Sequence, residues 1–266
     1  MKVMKLLKFQ LFHHRKHILI WSGVVGGILL MYMVLFPYIQ EMGLAKIEAF
    51  GEEILKMFGM DGFTEFTNFV MYYGVMLRMV SIAITIFSIL FMGNLIFKEE
   101  REKTIEQFTN LPISRKELWL SKLLLGLLSI FIVSFSGFIT TTLAGLINGG
   151  DTYVFIDTLK IYLLLSLIPM LFGLVSFSLA SITTKYAMPG ITTGLFLILY
   201  FIGYIGNLLE DKGLLLTYFS PFEHLIAANA LNPTLDLFIL VGLYVLGVGV
   251  LTAFGYYRYQ KRDYIL

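Results

Sequence analysis

Residues 74–97 read GVMLRMVSIAITIFSILFMGNLIF, and Arg78 is the only charged side chain among them. The hydrocarbon core of a bilayer is about 30 Å thick and requires roughly 20 predominantly apolar residues in a helix. This stretch therefore predicts a transmembrane helix. Five further stretches of comparable character lie at residues 18–36, 118–147, 159–182, 188–208 and 235–257. We predict an all-α, polytopic membrane protein with six transmembrane helices in a single domain over residues 1–266.

The overall composition excludes an ordinary soluble domain. Hydrophobic residues make up 58% of the chain and the mean hydropathy is +0.81, whereas soluble domains contain roughly 45–50% apolar residues. The chain has no cysteine, which excludes disulfides and thiolate metal ligands. His13 and His17 have the i, i+4 spacing of metal ligands, but no carboxylate lies near them in the sequence. We therefore interpret them as part of a hydrated interface and expect no metal site.

The distribution of basic residues predicts the orientation, because cytoplasmic segments near span ends carry an excess of lysine and arginine. Three segments are basic: the N-terminal tail, the loop after the second span and the tail after the sixth span. Their basic residues are Lys2, Lys5, Lys8, Arg15 and Lys16; Lys98, Arg101, Lys103, Arg115 and Lys116; and Arg258, Lys261 and Arg262. Both termini are therefore predicted to be cytoplasmic.

The first 17 residues predict a helix that lies along the membrane interface before the first span. Apolar side chains such as Val3 and Leu7 lie on one helical arc, and basic side chains such as Lys5 and Lys8 lie on another. A helix of this kind rests in the interface with its apolar face in the lipid, so we predict an N-terminal elbow. The alternative is a solvated basic tail that only sets the orientation.

Two amphipathic helices are predicted on the outer surface. The first covers residues 47–58, where apolar residues recur at helical spacing. The second covers residues 222–231, after Ser220, Pro221 and Glu223, which form a capping-box pattern with proline at the first helical position.

Two pairs of glycines at i, i+4 spacing predict close helix packing, within the bundle or between two copies of the chain. They are Gly23 with Gly27 and Gly190 with Gly194.

The loop after the second span, residues 98–122, reads KEEREKTIEQFTNLPISRKELWLSK. Thr104 with Gln107 forms a capping-box pattern, which predicts that a short helix begins there. Pro112 ends this helix, because proline disfavours helical conformation in the residue before it. Ser114 with Glu117 forms a second capping box at the start of the third span. An isolated two-turn helix is marginal in water, so we expect a partner surface to stabilise it.

This pattern resembles the ABC-2-type permeases of bacterial ABC exporters. The resemblance covers the six-span plan, the acidic and basic run before Thr-Ile-Glu, the segment Leu-Pro-Ile-Ser-Arg and the basic end of the chain. Lys103 departs from the family pattern, which often has glycine before the threonine. The resemblance implies a short coupling helix that docks in a groove of a separate cytoplasmic ATPase subunit.

Residue roles follow from the same resemblance. The residues that would face the ATPase are Thr104, Ile105, Glu106 and Phe108; Pro112, Ser114 and Arg115 would fix the turn; Glu99, Glu100 and Glu102 would pair with basic residues of that subunit. The resemblance further implies a bacterial inner-membrane location, a homodimer or heterodimer with a second permease copy, lipid contacts and no nucleic acid. ATP and magnesium would be bound by the partner, because this chain lacks the phosphate-binding G-x-x-x-x-G-K-[ST] pattern. The implied cargo is an amphipathic or hydrophobic peptide or drug.

Few other residues are candidates for chemistry. Arg78 lies in an apparent span near its outer end, where we interpret it as a snorkelling anchor, with a contact on a substrate path as the alternative. Ser134 and Thr141 in the third span either line a substrate path or bond within the bundle. We expect no catalytic residue and no enzyme activity in this chain. An ion-coupled secondary transporter and a membrane-embedded enzyme or scaffold remain the alternatives to an ATP-driven exporter.

Overall fold

The computed structural model describes residues 2–42, 67–102, 113–209 and 213–262. Ten α-helices lie in these ranges: α1 Lys2–Met42, α2 Phe69–Arg101, α3 Arg115–Asn148, α4 Phe155–Leu165, α5 Leu167–Ile182, α6 Met188–Leu208, α7 Leu214–Phe219, α8 Pro221–His224, α9 Ala227–Leu231 and α10 Leu235–Lys261. A 3₁₀ turn, Gly150–Thr152, precedes α4. The predicted amphipathic helix at residues 47–58 lies outside the described residues.

In the part of the chain that the structure describes, six helical segments are long and apolar enough to cross a membrane, which agrees with the six predicted spans. The spans are α1, α2, α3, the pair α4 and α5, α6, and α10. The fourth span is interrupted at Ser166. Proline cannot donate to the carbonyl four residues before it, and its ring clashes with that group. Pro169 therefore accounts for the break, because the carbonyl concerned belongs to Leu165.

The second span is the centre of the bundle. In its apolar window 72% of the residues are buried, compared with 6% in α10. Small residues let α2 and α5 approach closely. A Cβ atom at Gly173 of α5 would lie 2.9 Å from Met92 Sδ of α2. Hydroxyl groups of Ser88 and Ser176 join the two helices further, since they donate to Pro169 O and Ile89 O at 2.5 Å and 2.8 Å.

The N-terminal residues are helical, but they are continuous with the first span. A single helix runs from Lys2 to Met42 and packs mainly along α3. The predicted elbow is therefore not confirmed as a separate element.

One of the two predictions for the glycine pairs, close packing within the bundle, is wrong. A Cβ atom at Gly23, Gly27, Gly190 or Gly194 would meet nothing within 4 Å. The contact between α1 and α3 uses Gly26 instead, where a Cβ would lie 3.3 Å from Thr140 Cγ2. The four glycines face outward from the described chain, so packing against a second copy stays a prediction.

The segment before the sixth span differs from the predicted single helix. Pro221 does begin a helix, but α8 ends at His224 and a separate helix, α9, covers Ala227–Leu231. The capping box is also wrong, because Ser220 makes no side-chain cap bond. The Glu223 carboxylate is bonded to other residues instead.

Candidate functional site at the basic end of the bundle

The predicted docking loop joins α2 to α3 at the end of the bundle where α1 begins and α10 ends. We call this the basic end; its basic residues include Lys98, Arg101, Arg115, Lys116, Arg258 and Arg262. Five of the predicted coupling residues, Thr104, Ile105, Glu106, Phe108 and Pro112, lie outside the described residues. The site is therefore built from the two helix ends that flank the loop.

The start of α3 is fixed as predicted. The Ser114 hydroxyl accepts from the Glu117 backbone N–H at 3.2 Å, and the Glu117 carboxylate accepts from the Ser114 backbone N–H at 2.9 Å. This reciprocal capping box satisfies two donors that a helix start leaves unpaired. Arg115 donates to the carbonyl oxygens of Gln260 and Arg262 at 3.1 Å and 2.5 Å. It thus joins the start of α3 to the end of α10.

A buried ion pair connects the two helices that the loop joins. The Glu99 carboxylate near the end of α2 pairs with the Lys122 ammonium of α3, and their side chains are 9% and 2% exposed. Lys122 also lies 3.4 Å from the carbonyl oxygen of Ile96. Removing one partner of such a pair leaves an uncompensated buried charge, so the pair constrains the relative position of α2 and α3.

A second buried ion pair extends the connection to the sixth span. The Glu100 carboxylate pairs with the guanidinium of Arg262, the residue that follows α10. The same guanidinium donates to the carbonyl oxygens of Ala180 and Thr183 at 3.0 Å and 2.8 Å, at the end of α5. Arg262 therefore binds the ends of three spans together. We call Glu99, Lys122, Glu100 and Arg262 the ion-pair frame.

The frame corrects one part of the prediction. Glu99 and Glu100 were expected to pair with a partner subunit, but both are buried and paired inside this chain. Glu102 is exposed at the end of α2 and remains a candidate for such contacts. The ion pairs of Lys122 and Arg262 do not follow from any local sequence pattern. The signal at Lys122 was a single cation followed by an uncharged apolar stretch, and such a charge usually marks a pairing or functional position.

The prediction of a snorkelling anchor at Arg78 is wrong. Arg78 is 6% exposed, and its Nη2 donates to Glu223 Oε1 at 2.9 Å. The other Glu223 oxygen accepts from the side-chain amide of Asn207. Arg78 Nε and Nη1 are buried without a hydrogen-bond partner. This polar cluster lies at the opposite end of α2 from the ion-pair frame and joins α2, α6 and α8.

The hydroxyls of Ser134 and Thr141 are both buried, and neither has a hydrogen-bond partner. Other hydroxyls of α3 do bond within the bundle, since Ser136 donates to the Ser22 carbonyl oxygen of α1 at 2.9 Å. Ser134 and Thr141 are two helical turns apart and so lie on one face of α3. A role of these two residues in a substrate path stays a prediction.

A metal site does not emerge among the described residues. No group of three or more histidine, aspartate or glutamate side chains there is placed to hold an ion. His13, His14 and His17 lie together on α1, and the rings of His14 and His17 contact Phe91 of α2.

Comparison with known families gives one match that covers almost the whole chain. Residues 7–260 match the model of the C-terminal domain of the multidrug efflux system permease Rv1217c. No curated protein matches the chain. The matched region contains all six spans except the first residues of α1 and the last residue of α10. This multi-pass membrane protein therefore belongs to the family of the multidrug efflux system permease Rv1217c, through that permease's C-terminal domain.

Proposed function

We propose that the chain is the permease subunit of an ATP-driven exporter and that a separate ATPase subunit docks on the loop between α2 and α3. The observation that carries the proposal is the ion-pair frame. It connects the two helices on either side of the loop to each other and to the ends of α5 and α10. A displacement of the loop would therefore move several spans together rather than bend one helix end.

The cargo we propose is an amphipathic or hydrophobic drug or peptide, exported from the side of the basic end. The family is one of multidrug efflux permeases, which fits a cargo class of broad chemistry. The buried, unpartnered hydroxyls of Ser134 and Thr141 are candidates for polar contacts along the path. The proposed complex contains two permease copies and two ATPase subunits, and nucleotide is bound by the ATPases.

The docking step is tested by co-purification with the ATPase encoded beside this chain. Phe108→Ala and Glu106→Gln would remove a predicted aromatic anchor and a predicted ion-pair partner. Truncation of a central interface residue weakens association by roughly tenfold or more, so both variants should lose most of the bound ATPase. Lys160→Gln is the matched control, because Lys160 forms an exposed pair with Asp157 at the start of α4, the end of the span farthest from the loop.

The transmission step is tested separately with Glu99→Leu combined with Lys122→Met. This pair of changes removes both buried charges and should leave docking intact while it lowers cargo-stimulated ATP hydrolysis. The proposal fails if the unaltered chain binds no ATPase, or if the loop variants bind the ATPase and stimulate it as the unaltered chain does. Survival of cells challenged with a panel of drugs and amphipathic peptides, with and without the chain, identifies the cargo class.

A further inference from the structure

A cavity of about 690 Å³ lies between α1 and α2 at the basic end. It exists because α1 packs mainly along α3 and meets α2 over a shorter length. Cavities of roughly 300–1,000 Å³ are typical of small-molecule sites. Neither the family match nor the proposed docking loop assigns a role to it.

One part of the cavity wall is a row of aromatic rings. Trp21 of α1 lies 5.0 Å from Phe87 of α2 between ring centroids, and Phe87 stacks on Phe91 at 5.3 Å. The His17 ring stacks on Phe91 at 6.1 Å, and the His14 ring meets it edge-on at 5.4 Å. The apolar end of this row, at Trp21 and Phe87, is the end farther from the chain's N-terminus and therefore deeper in the predicted membrane.

The other part of the wall is cationic and lies at the end of α2. Lys16, Lys98 and Arg101 line it, and Glu102 is the only acid among the lining residues that the structure describes. Lys98 Nζ lies 3.2 Å from His14 Nε2, and Arg101 Nη2 donates to Asn94 Oδ1 at 3.0 Å. These two contacts hold the cationic groups at the mouth of the cavity. Three cations and one acid among the described lining residues give the mouth a positive charge that favours an anion.

We propose that this cavity binds an anionic phospholipid, with its phosphate at Lys98 and Arg101 and the upper part of its acyl chains along Trp21, Phe87 and Phe91. Charge complementarity selects this occupant, because a cationic amphiphile would meet like charges at the mouth. The cationic part of the wall lies at the membrane interface and the aromatic part lies deeper. A phospholipid has the same arrangement, with its head group at the interface and its acyl chains deeper. Basic pockets between transmembrane helices bind anionic head groups in this way. The proposal does not depend on coupling to ATP.

Tryptophan fluorescence offers a direct test, because the chain contains two tryptophans. Trp119→Phe leaves Trp21 as the reporter inside the cavity. We would reconstitute this variant into phosphatidylcholine vesicles that contain a quencher, either brominated phosphatidylglycerol or brominated phosphatidylcholine. Since each basic residue near a membrane surface contributes about 1 kcal/mol toward anionic lipid, we expect a preference for the brominated anionic lipid of roughly fivefold or more.

Three variants in this background sharpen the result. Lys98→Gln with Arg101→Gln should abolish the preference. Lys116→Gln with Arg258→Gln is the matched control, because it removes the same charge from exposed residues at the basic end that do not line the cavity, and it should keep the preference. Glu102→Gln should increase the preference, an effect that damage to the fold would not produce.

The proposal is overturned if both brominated lipids quench Trp21 equally, or if the control pair lowers the preference as much as the cavity pair. It is also overturned if inorganic phosphate alone abolishes the preference, because the site would then take free phosphate rather than lipid. In the reciprocal variant Trp21→Phe, the buried Trp119 should show no preference. Native mass spectrometry of the unaltered chain should find phosphatidylglycerol retained in preference to phosphatidylcholine, which checks the result without a tryptophan change.

Discussion

The two ends of α2 both carry buried charge, but the surroundings of that charge differ. At the basic end, Glu99 and Glu100 each meet a cation from another span or its terminus. At the opposite end, Glu223 of the short helix α8 is the one acid among the described residues that pairs with Arg78. The Glu100–Arg262 pair leaves Glu100 Oε2 and Arg262 Nε without a hydrogen-bond partner, and the Arg78–Glu223 pair leaves two Arg78 nitrogens without one. The two ends therefore differ in how many spans their ion pairs join, not in how completely the charged groups are bonded.

The helix itself explains why the basic end needs its cations. Glu99 and Glu100 lie in the last turn of α2, where the partial negative charge of the helix terminus opposes an acidic side chain. Burial adds a further cost for each charge. Lys122 and Arg262 offset both effects, and because they belong to other spans, they tie those spans to α2. The basic end therefore joins α2, α3, α5 and α10 through two ion pairs, while the opposite end joins α2 to α8 through one.

The largest expected effect is the loss of one charge from the Glu99–Lys122 pair. Lys122→Met would leave the Glu99 carboxylate buried without its cation, which typically costs about 3–5 kcal/mol. We expect a large fall in the melting temperature of the detergent-solubilised protein. Glu99→Leu with Lys122→Met should recover much of that loss, because no uncompensated charge remains. A double variant that is less stable than Lys122→Met would contradict this view of the frame.

At the opposite end we expect a smaller loss of stability, and its size should depend on which partner of the Arg78–Glu223 pair is replaced. Arg78→Met leaves Glu223 with its bond from Asn207 and removes two nitrogens that have no hydrogen-bond partner, whereas Glu223→Gln leaves the Arg78 charge without a counter-ion. We expect Arg78→Met to cost less than the about 3–5 kcal/mol typical of a broken buried pair, because Asn207 still donates to Glu223, and Glu223→Gln to cost more. The measurement is again the melting temperature in detergent. If Arg78→Met is the more damaging change, Arg78 has an acceptor that this arrangement does not include.

The comparison of the two ends also shows what the sequence could predict. The six spans and the Ser114–Glu117 capping box follow from local patterns, namely apolar length and residue spacing, and both are confirmed. The pairs Glu100–Arg262 and Arg78–Glu223 join residues far apart in the chain. Such pairing depends on which helices become neighbours, and apolar length does not determine that.

The local signals also failed where a distant partner was stronger. The pattern Ser220–Pro221–Glu223 is typical of a capping box, yet the Glu223 carboxylate is bonded to Arg78 and Asn207 instead. A buried guanidinium forms a stronger interaction with a carboxylate than one backbone N–H does. The position of Arg78 along α2 predicts a site near the membrane surface, and no local sequence pattern indicates that α8 covers it.

The smallest expected effect is a pH dependence at the opposite end, next to Glu223. Burial lowers the pKa of His224, although a backbone hydrogen bond with Thr217 and the charge of Glu223 act in the other direction. The unfolded chain therefore takes up this proton at higher pH than the folded chain, so stability should fall as the pH drops below about 6.5, the usual pKa of histidine. We expect His224→Asn to reduce the dependence of the melting temperature on pH between 7 and 5. His13→Asn, a change at an exposed histidine of the basic end, is the matched control. An unchanged slope in His224→Asn would assign the pH dependence to other groups.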